Sequence, residues 1–210
     1  MSLPAIKMST KDLRGALAQS QVQETAAGGI GGFLKFDFQT GEWSYGRDQE
    51  EVTGDKVLIN VATFGHGWVL WLNSEAQKNL VRFTDPLPEP PASAVDAKGN
   101  TVEASQARAF QGAFLDGNDQ LTFETNSYGG RQGVDALLAA VKQRAASGEG
   151  DLYPIVKLSS SSYVNKAYGN KTIHNPVFEI VGWADEFGVE EEEPEQIEAP
   201  APTRRRRRKS

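Results

Sequence analysis

The spacing of hydrophobic and polar positions changes along the chain, and the changes mark its elements. From Phe33 onward the period is two: Leu34, Phe36 and Phe38 fall on one face, and Lys35 and Asp37 fall on the other. That alternation predicts a half-buried strand. Gln39, Thr40, Gly41 and Glu42 then supply turn chemistry before Trp43, Ser44 and Tyr45, so the stretch predicts a β-hairpin. Two more strands are predicted at residues 57–62 (VLINVA) and 66–72 (HGWVLWL), with Gly65 and Gly67 as bends, and Arg82 and Phe83 close this half. A second hairpin is predicted from residues 109–115 and 121–125 around the turn at Asp116, Gly117, Asn118 and Asp119. Residues 153–158 and 177–183 predict the last strands, with residues 163–171 extended or looped between them.

The period becomes helical only once. Val134, Leu137, Leu138, Val141 and Ala145 fall at i, i+3, i+4, i+7 and i+11, which gathers one apolar stripe, and Gly148 and Gly150 are suitable stops. About seven or eight short strands with one helix make the chain mainly β. A doubly wound α/β sheet would need a helix after nearly every strand, so a small β-barrel carrying one amphipathic helix is the expected fold, and a sandwich with one helix also fits the pattern.

Stretches without periodicity set the boundaries. Residues 1–32 hold few large apolar side chains and end in a glycine-rich run, which predicts a flexible N-terminal lead-in. Residues 85–100 contain Pro86, Pro88, Pro90 and Pro91 and read as a proline-rich surface loop within a domain spanning 33–184. Residues 185–198 carry acids and no base, whereas Arg204 to Lys209 are all basic, so 185–210 is predicted to be a disordered acidic then basic tail.

Composition removes several classes of function. The 210 residues include no cysteine, which excludes disulfides, thiolate metal sites and a cysteine nucleophile. No window of about 18 apolar residues suits a spanning helix, and the first residues lack a secretory pattern, so a cytoplasmic protein without membrane contact is expected. His66 and His174 are the two histidines, neither with a second histidine at ligand spacing, and no Gly-x-Ser-x-Gly elbow occurs. The glycines at 28–32 lack the Lys-Ser/Thr ending of a phosphate loop. No catalytic or metal-binding residue and no cofactor is selected by these patterns. Asp96, Ala97 and Lys98, with Asp85 upstream, leave a magnesium-dependent nuclease as an alternative, against the plainer reading of a solvated loop.

Binding chemistry is more legible. Between Leu152 and Val177 there is no Asp or Glu, and Lys157, Lys166 and Lys171 interleave with Tyr153, Tyr163 and Tyr168. In a chain of net charge −6 this stretch suits single-stranded nucleic acid, since ammonium groups follow phosphates and rings stack on unpaired bases. Tyrosines in strands are also common packing residues. Trp43, Tyr45 and Trp68 are further candidate stacking rings, although Trp68 and Trp71 lie on opposite strand faces and one tryptophan should face the core.

In its order of segments the chain resembles the single-stranded DNA-binding proteins of tailed bacteriophages, the OB-fold kind with an acidic C-terminal tail. The residues that carry the resemblance are FLKFDFQTGEWSYG, INVATFGHGWVLW, the helix, and YPIVKLSSSSYVNKAYGNKTIHNPVFEIVGW followed by the acidic run. The resemblance implies an OB-like Greek-key β-barrel and a groove that holds unpaired DNA. It also implies a tail that recruits replication or recombination proteins in the host cytoplasm. The groove candidates are then Tyr153, Lys157, Tyr163, Lys166, Tyr168 and Lys171, with Trp43, Tyr45 and Trp68 beside them. The closing RRRRRKS departs from a tail that ends in acids. The expected function is non-enzymatic binding of single-stranded DNA in phage replication or recombination, with little sequence preference. A protein-interaction or virion-associated β domain is the alternative, and the nuclease is the third reading.

Overall fold

The computed structural model describes residues 32–117 and 119–185, with the backbone alone at Tyr168. The expectations for the lead-in before Gly32 and for the tail after Asp185 lie outside the described residues.

The strands are β1 (Gly32–Phe36), β2 (Trp43–Tyr45), β3 (Glu50–Glu51), β4 (Lys56–Leu72), β5 (Glu75–Arg82), β6 (Ala94–Val95), β7 (Thr101–Val102), β8 (Ser105–Phe114) and β9 (Gln120–Thr125). The helix α1 (Tyr128–Ser147) follows, and then β10 (Tyr153–Asn165) and β11 (Lys171–Ala184). Nine strands make one strongly curled sheet in the order β11-β10-β4-β8-β9-β1-β2-β3, with β5 added to β4, and β6 and β7 form a separate small ribbon. All pairings are antiparallel except β1 with β9. The described residues are mainly β with one helix, as the periodicity predicts.

Strand β4 shows how the curl arises. The two strands expected at 57–62 and 66–72 are one continuous strand of 17 residues. Its first part pairs with β10 and its last part with β5, while β8 runs along the other edge. The register against β8 shifts between Asn60 and Gly65, a bulge that increases local twist. Side chains satisfy the displaced backbone there: Thr63 Oγ1 donates to the Asn60 carbonyl and accepts from Gln111 N. Gly67 lets β5 approach closely, since a side chain there would strike the Asn79 carbonyl.

The ladder does not run from β3 back to β11, but isolated bonds cross the gap. Trp43 Nε1 donates to the Ser159 carbonyl at 2.8 Å. Gly54 N donates to Leu158 O, and Leu158 N donates to Asp55 O, both at 2.9 Å. His174 N donates to Phe38 O at 2.8 Å. These contacts draw the ends of the sheet together into a half-barrel.

A hydrophobic core cluster is shared by the sheet and the helix. Leu34, Trp43, Ile59, Phe110, Leu121, Phe123, Tyr153, Leu158 and Phe178 come from the sheet, and α1 adds Val134, Leu137, Leu138 and Val141 from its predicted stripe. The Trp43 ring meets Phe36, Phe123 and Phe178 at centroid distances of 4.9, 5.5 and 5.3 Å. Ser127 caps the helix by accepting from Gly130 N, and Gly148 ends it in the left-handed conformation at φ 81°.

One further expectation changes, and another is made specific. Phe38 does not share the buried face of Leu34, because the alternation stops at Phe36. Asp37 begins a turn in which its Oδ1 accepts from Gln39 N and its carbonyl accepts from Gly41 N, leaving Phe38 at 54% exposure. The segment 163–171, expected as extended or looped, is both: residues 163–165 and Lys171 are strand, and the residues between them are the turn of a long hairpin. Here β10 and β11 run together to the Asn165–Lys171 pair, and the tip is a 3-10 turn over Lys166–Tyr168 with Gly169 and Asn170 at positive φ.

Candidate nucleic-acid interface

The β10–β11 hairpin leaves the core as an arm, and a cleft of about 680 Å³ opens beneath it. One wall is β1 and its following turn, the second is the end of β9 with the start of α1, and the third is the outer half of the hairpin. Close packing holds these walls in place. The His174 ring lies against Gly41, where a side chain would collide with its Nδ1, and Asn175 lies against Gly129 at the start of α1.

Four aromatic side chains that the core does not take up meet in this cleft. Phe33, Phe38, Tyr128 and Tyr163 all line it, with exposures of 49, 54, 72 and 45%. Each is exposed for a local reason. Phe33 alternates with buried Leu34 on β1, Phe38 sits in the turn, Tyr128 opens α1, and Tyr163 lies past the point where β10 leaves the core. Isolated exposed rings are ordinary, and several on one concave surface make it a candidate binding surface.

The polar lining suits an anionic, hydrogen-bonding ligand. Lys35 lines the cleft, as do the amides Asn126, Asn165 and Asn175 and the first residues of α1, the positive end of the helix dipole. Glu124 is the carboxylate in the lining, and Lys78 neutralises it at 2.7 Å. Directly opposed residues of an antiparallel pair share a face, so the Asn165–Lys171 pair continues the face of the Tyr163–Ile173 pair. Lys171 is thus on the cleft side of the arm, and Lys166 is exposed in the turn at its tip, next to cleft-lining Asn165.

The sequence-selected residues separate into groups. Tyr163 is in the cleft, and Lys166 and Lys171 stand beside it. Tyr168 is at the tip, and its side chain is outside what the structure describes. Lys157 is exposed but far down the arm, in register with Lys56 and Glu179. Tyr153 and Trp43, expected as stacking rings, are 1 and 0% exposed and offer no face to a base, because both sit where strands close over the core. Tyr45 is also occupied: its hydroxyl accepts from Gly32 N and donates to the Gln120 carbonyl, and its ring packs edge-on against Phe114 at 4.9 Å. Trp68 is half-buried away from the cleft and ties the proline-rich loop down through Nε1 to the Pro88 carbonyl at 2.8 Å.

Asp96, the carboxylate of the nuclease alternative, serves a turn between β6 and β7. Its oxygens accept from Lys98 N, Asn100 N and Asn100 Nδ2 at 2.8, 2.8 and 3.0 Å. The Asn100 side chain, followed by backbone N–H groups of the turn, holds its carboxyl below the ordinary value of 3.8. Among the described residues no group of three or more His, Asp or Glu side chains gathers as a cation site. No described helix is long and apolar enough to cross a membrane.

Phe33, Phe38 and Tyr128 were missed in the sequence. Phe33 carried a usable signal, since it has the opposite parity to Leu34 and Phe36. Tyr128 had none, because its placement depends on where Ser127 caps the helix. No family model matches this sequence, and no curated protein and no solved structure matches it either.

Proposed function

We propose that the protein binds single-stranded DNA without catalysing a reaction, with little sequence preference, in phage replication or recombination. The observation that carries this reading is the convergence of Phe33, Phe38, Tyr128 and Tyr163 on one cleft whose carboxylate is already neutralised. Exposed ring faces in such a cleft take unstacked bases, each worth about 1–3 kcal/mol, while Lys35, Lys166, Lys171 and the start of α1 attract the phosphates. The mainly β, curled architecture is compatible with an OB-like groove, and the sequence resemblance points the same way.

Fluorescence anisotropy of a labelled mixed-sequence oligonucleotide tests the proposal at low and high salt. Binding should be micromolar or tighter at low salt, and Tyr163→Ala and Phe38→Ala should each weaken it by about 5- to 100-fold. No binding at micromolar protein in low salt would sink it. A protein partner using the same rings would give that negative result together with a stable complex in a pull-down.

A further inference from the structure

The other half of α1 borders a second hollow. An apolar pocket of about 140 Å³ lies between β4, the end of β5 and the C-terminal half of the helix, with Val61, Phe64, Phe83, Leu138, Val141 and Leu152 in its walls. An apolar hollow of that size has room for one aromatic ring. Arg82 and Lys142 also line it, and Lys142 Nζ sits 4.2 Å from the centre of the Phe83 ring. No described carboxylate forms an ion pair with either cation. The pocket is complementary to an aromatic side chain flanked by acids.

The chain leaves the described fold beside this pocket. Ala184, the last residue of β11, pairs with Tyr153, the neighbour of pocket-lining Leu152. Trp183 lies under Arg144 at 4.7 Å, and Arg144 precedes pocket-lining Ala145. The sequence continues as Asp185, Glu186, Phe187, Gly188, Val189 and Glu190 to Glu193. Phe187 is three residues past Ala184, a reach of about 10 Å.

We propose that residues 186–193 dock on this pocket in cis, with Phe187 filling the apolar hollow and the flanking glutamates meeting Arg82 and Lys142. Burial of the ring supplies the anchor, and the opposite charges fix its direction. The aromatic cleft uses the first turn of α1 and this pocket the second half of its 20 residues, so the docked segment leaves the cleft open. Docking at this pocket does not depend on the DNA-binding reading.

The absence of cysteine in the chain makes a direct test simple. In the full-length protein, Gly188→Cys combined with Ala145→Cys should form an intramolecular disulfide under mild oxidation. Adding Phe187→Ala or Lys142→Glu should slow the reaction about tenfold. An unchanged rate would show mere tethering and overturn the proposal, and disulfide-linked dimers would overturn docking in cis. Amide exchange on the full chain gives a second readout that leaves the pocket unaltered. Phe187→Ala should speed exchange within residues 138–147, and identical exchange overturns the proposal.

Discussion

Gly41 turns the chain between β1 and β2 at φ +81° with the His174 ring and Ser160 Oγ packed against it. Any side chain there meets both a disfavoured backbone conformation and occupied space. Gly41→Ala should therefore cost at least about 1–2 kcal/mol in urea denaturation, and it should displace Phe38, whose carbonyl accepts from His174 N. Asp96 gives a pH-dependent prediction of defined sign. Its folded-state pKa is lowered, so its turn bonds are intact above the ordinary carboxylate value and are lost as pH falls through the lowered one. The Lys98 and Asn100 amide resonances should titrate together with a midpoint below 3.8. A midpoint at or above that value would contradict the hydrogen bonds assigned to this carboxylate.

Strand β10 contains two tyrosines that look equivalent in sequence and differ in role. Tyr153 lies at the base inside the core, and Tyr163 lies ten positions along on the free arm. Tyr153→Ala should lose about 3–5 kcal/mol of stability, as buried aromatics do, whereas Tyr163→Ala should stay within about 0.5 kcal/mol of the parent and lose oligonucleotide affinity. Denaturation and anisotropy on both variants separate the roles, and a large stability loss at Tyr163 would place its ring in the core. The contrast also shows what was legible. The helical stripe and both short hairpins were readable because their apolar spacing is local. The outer arm was not, because Ser159 to Ser162 carry no hydrophobic period and are held as strand by pairing with residues 174–177. The cleft was harder still, since it joins residues 33–38, 123–130 and 163–176, and no window of sequence contains that neighbourhood.

At the scale of the whole molecule, tryptophan placement and charge decide how binding should be observed. None of the four tryptophans lines the cleft. Trp43 is in the core, Trp68 is held by the Pro88 carbonyl, Trp183 lies under Arg144, and exposed Trp71 is on the distal end of β4. Intrinsic tryptophan emission should therefore change little when a deoxythymidine oligomer binds, while Phe38→Trp should be strongly quenched. Strong quenching of the parent would move the interface to Trp71 or Trp68. The salt dependence should be shallow, because the chain carries a net charge of −6 and Lys35, Lys166 and Lys171 are the cations at the cleft. At about −0.7 per phosphate contact on a single strand, the slope of log K against log salt should be about −2. A slope two or three times steeper would require phosphates to follow another surface, such as the one carrying Lys56 and Lys157, and would remove the cleft from the path of the strand.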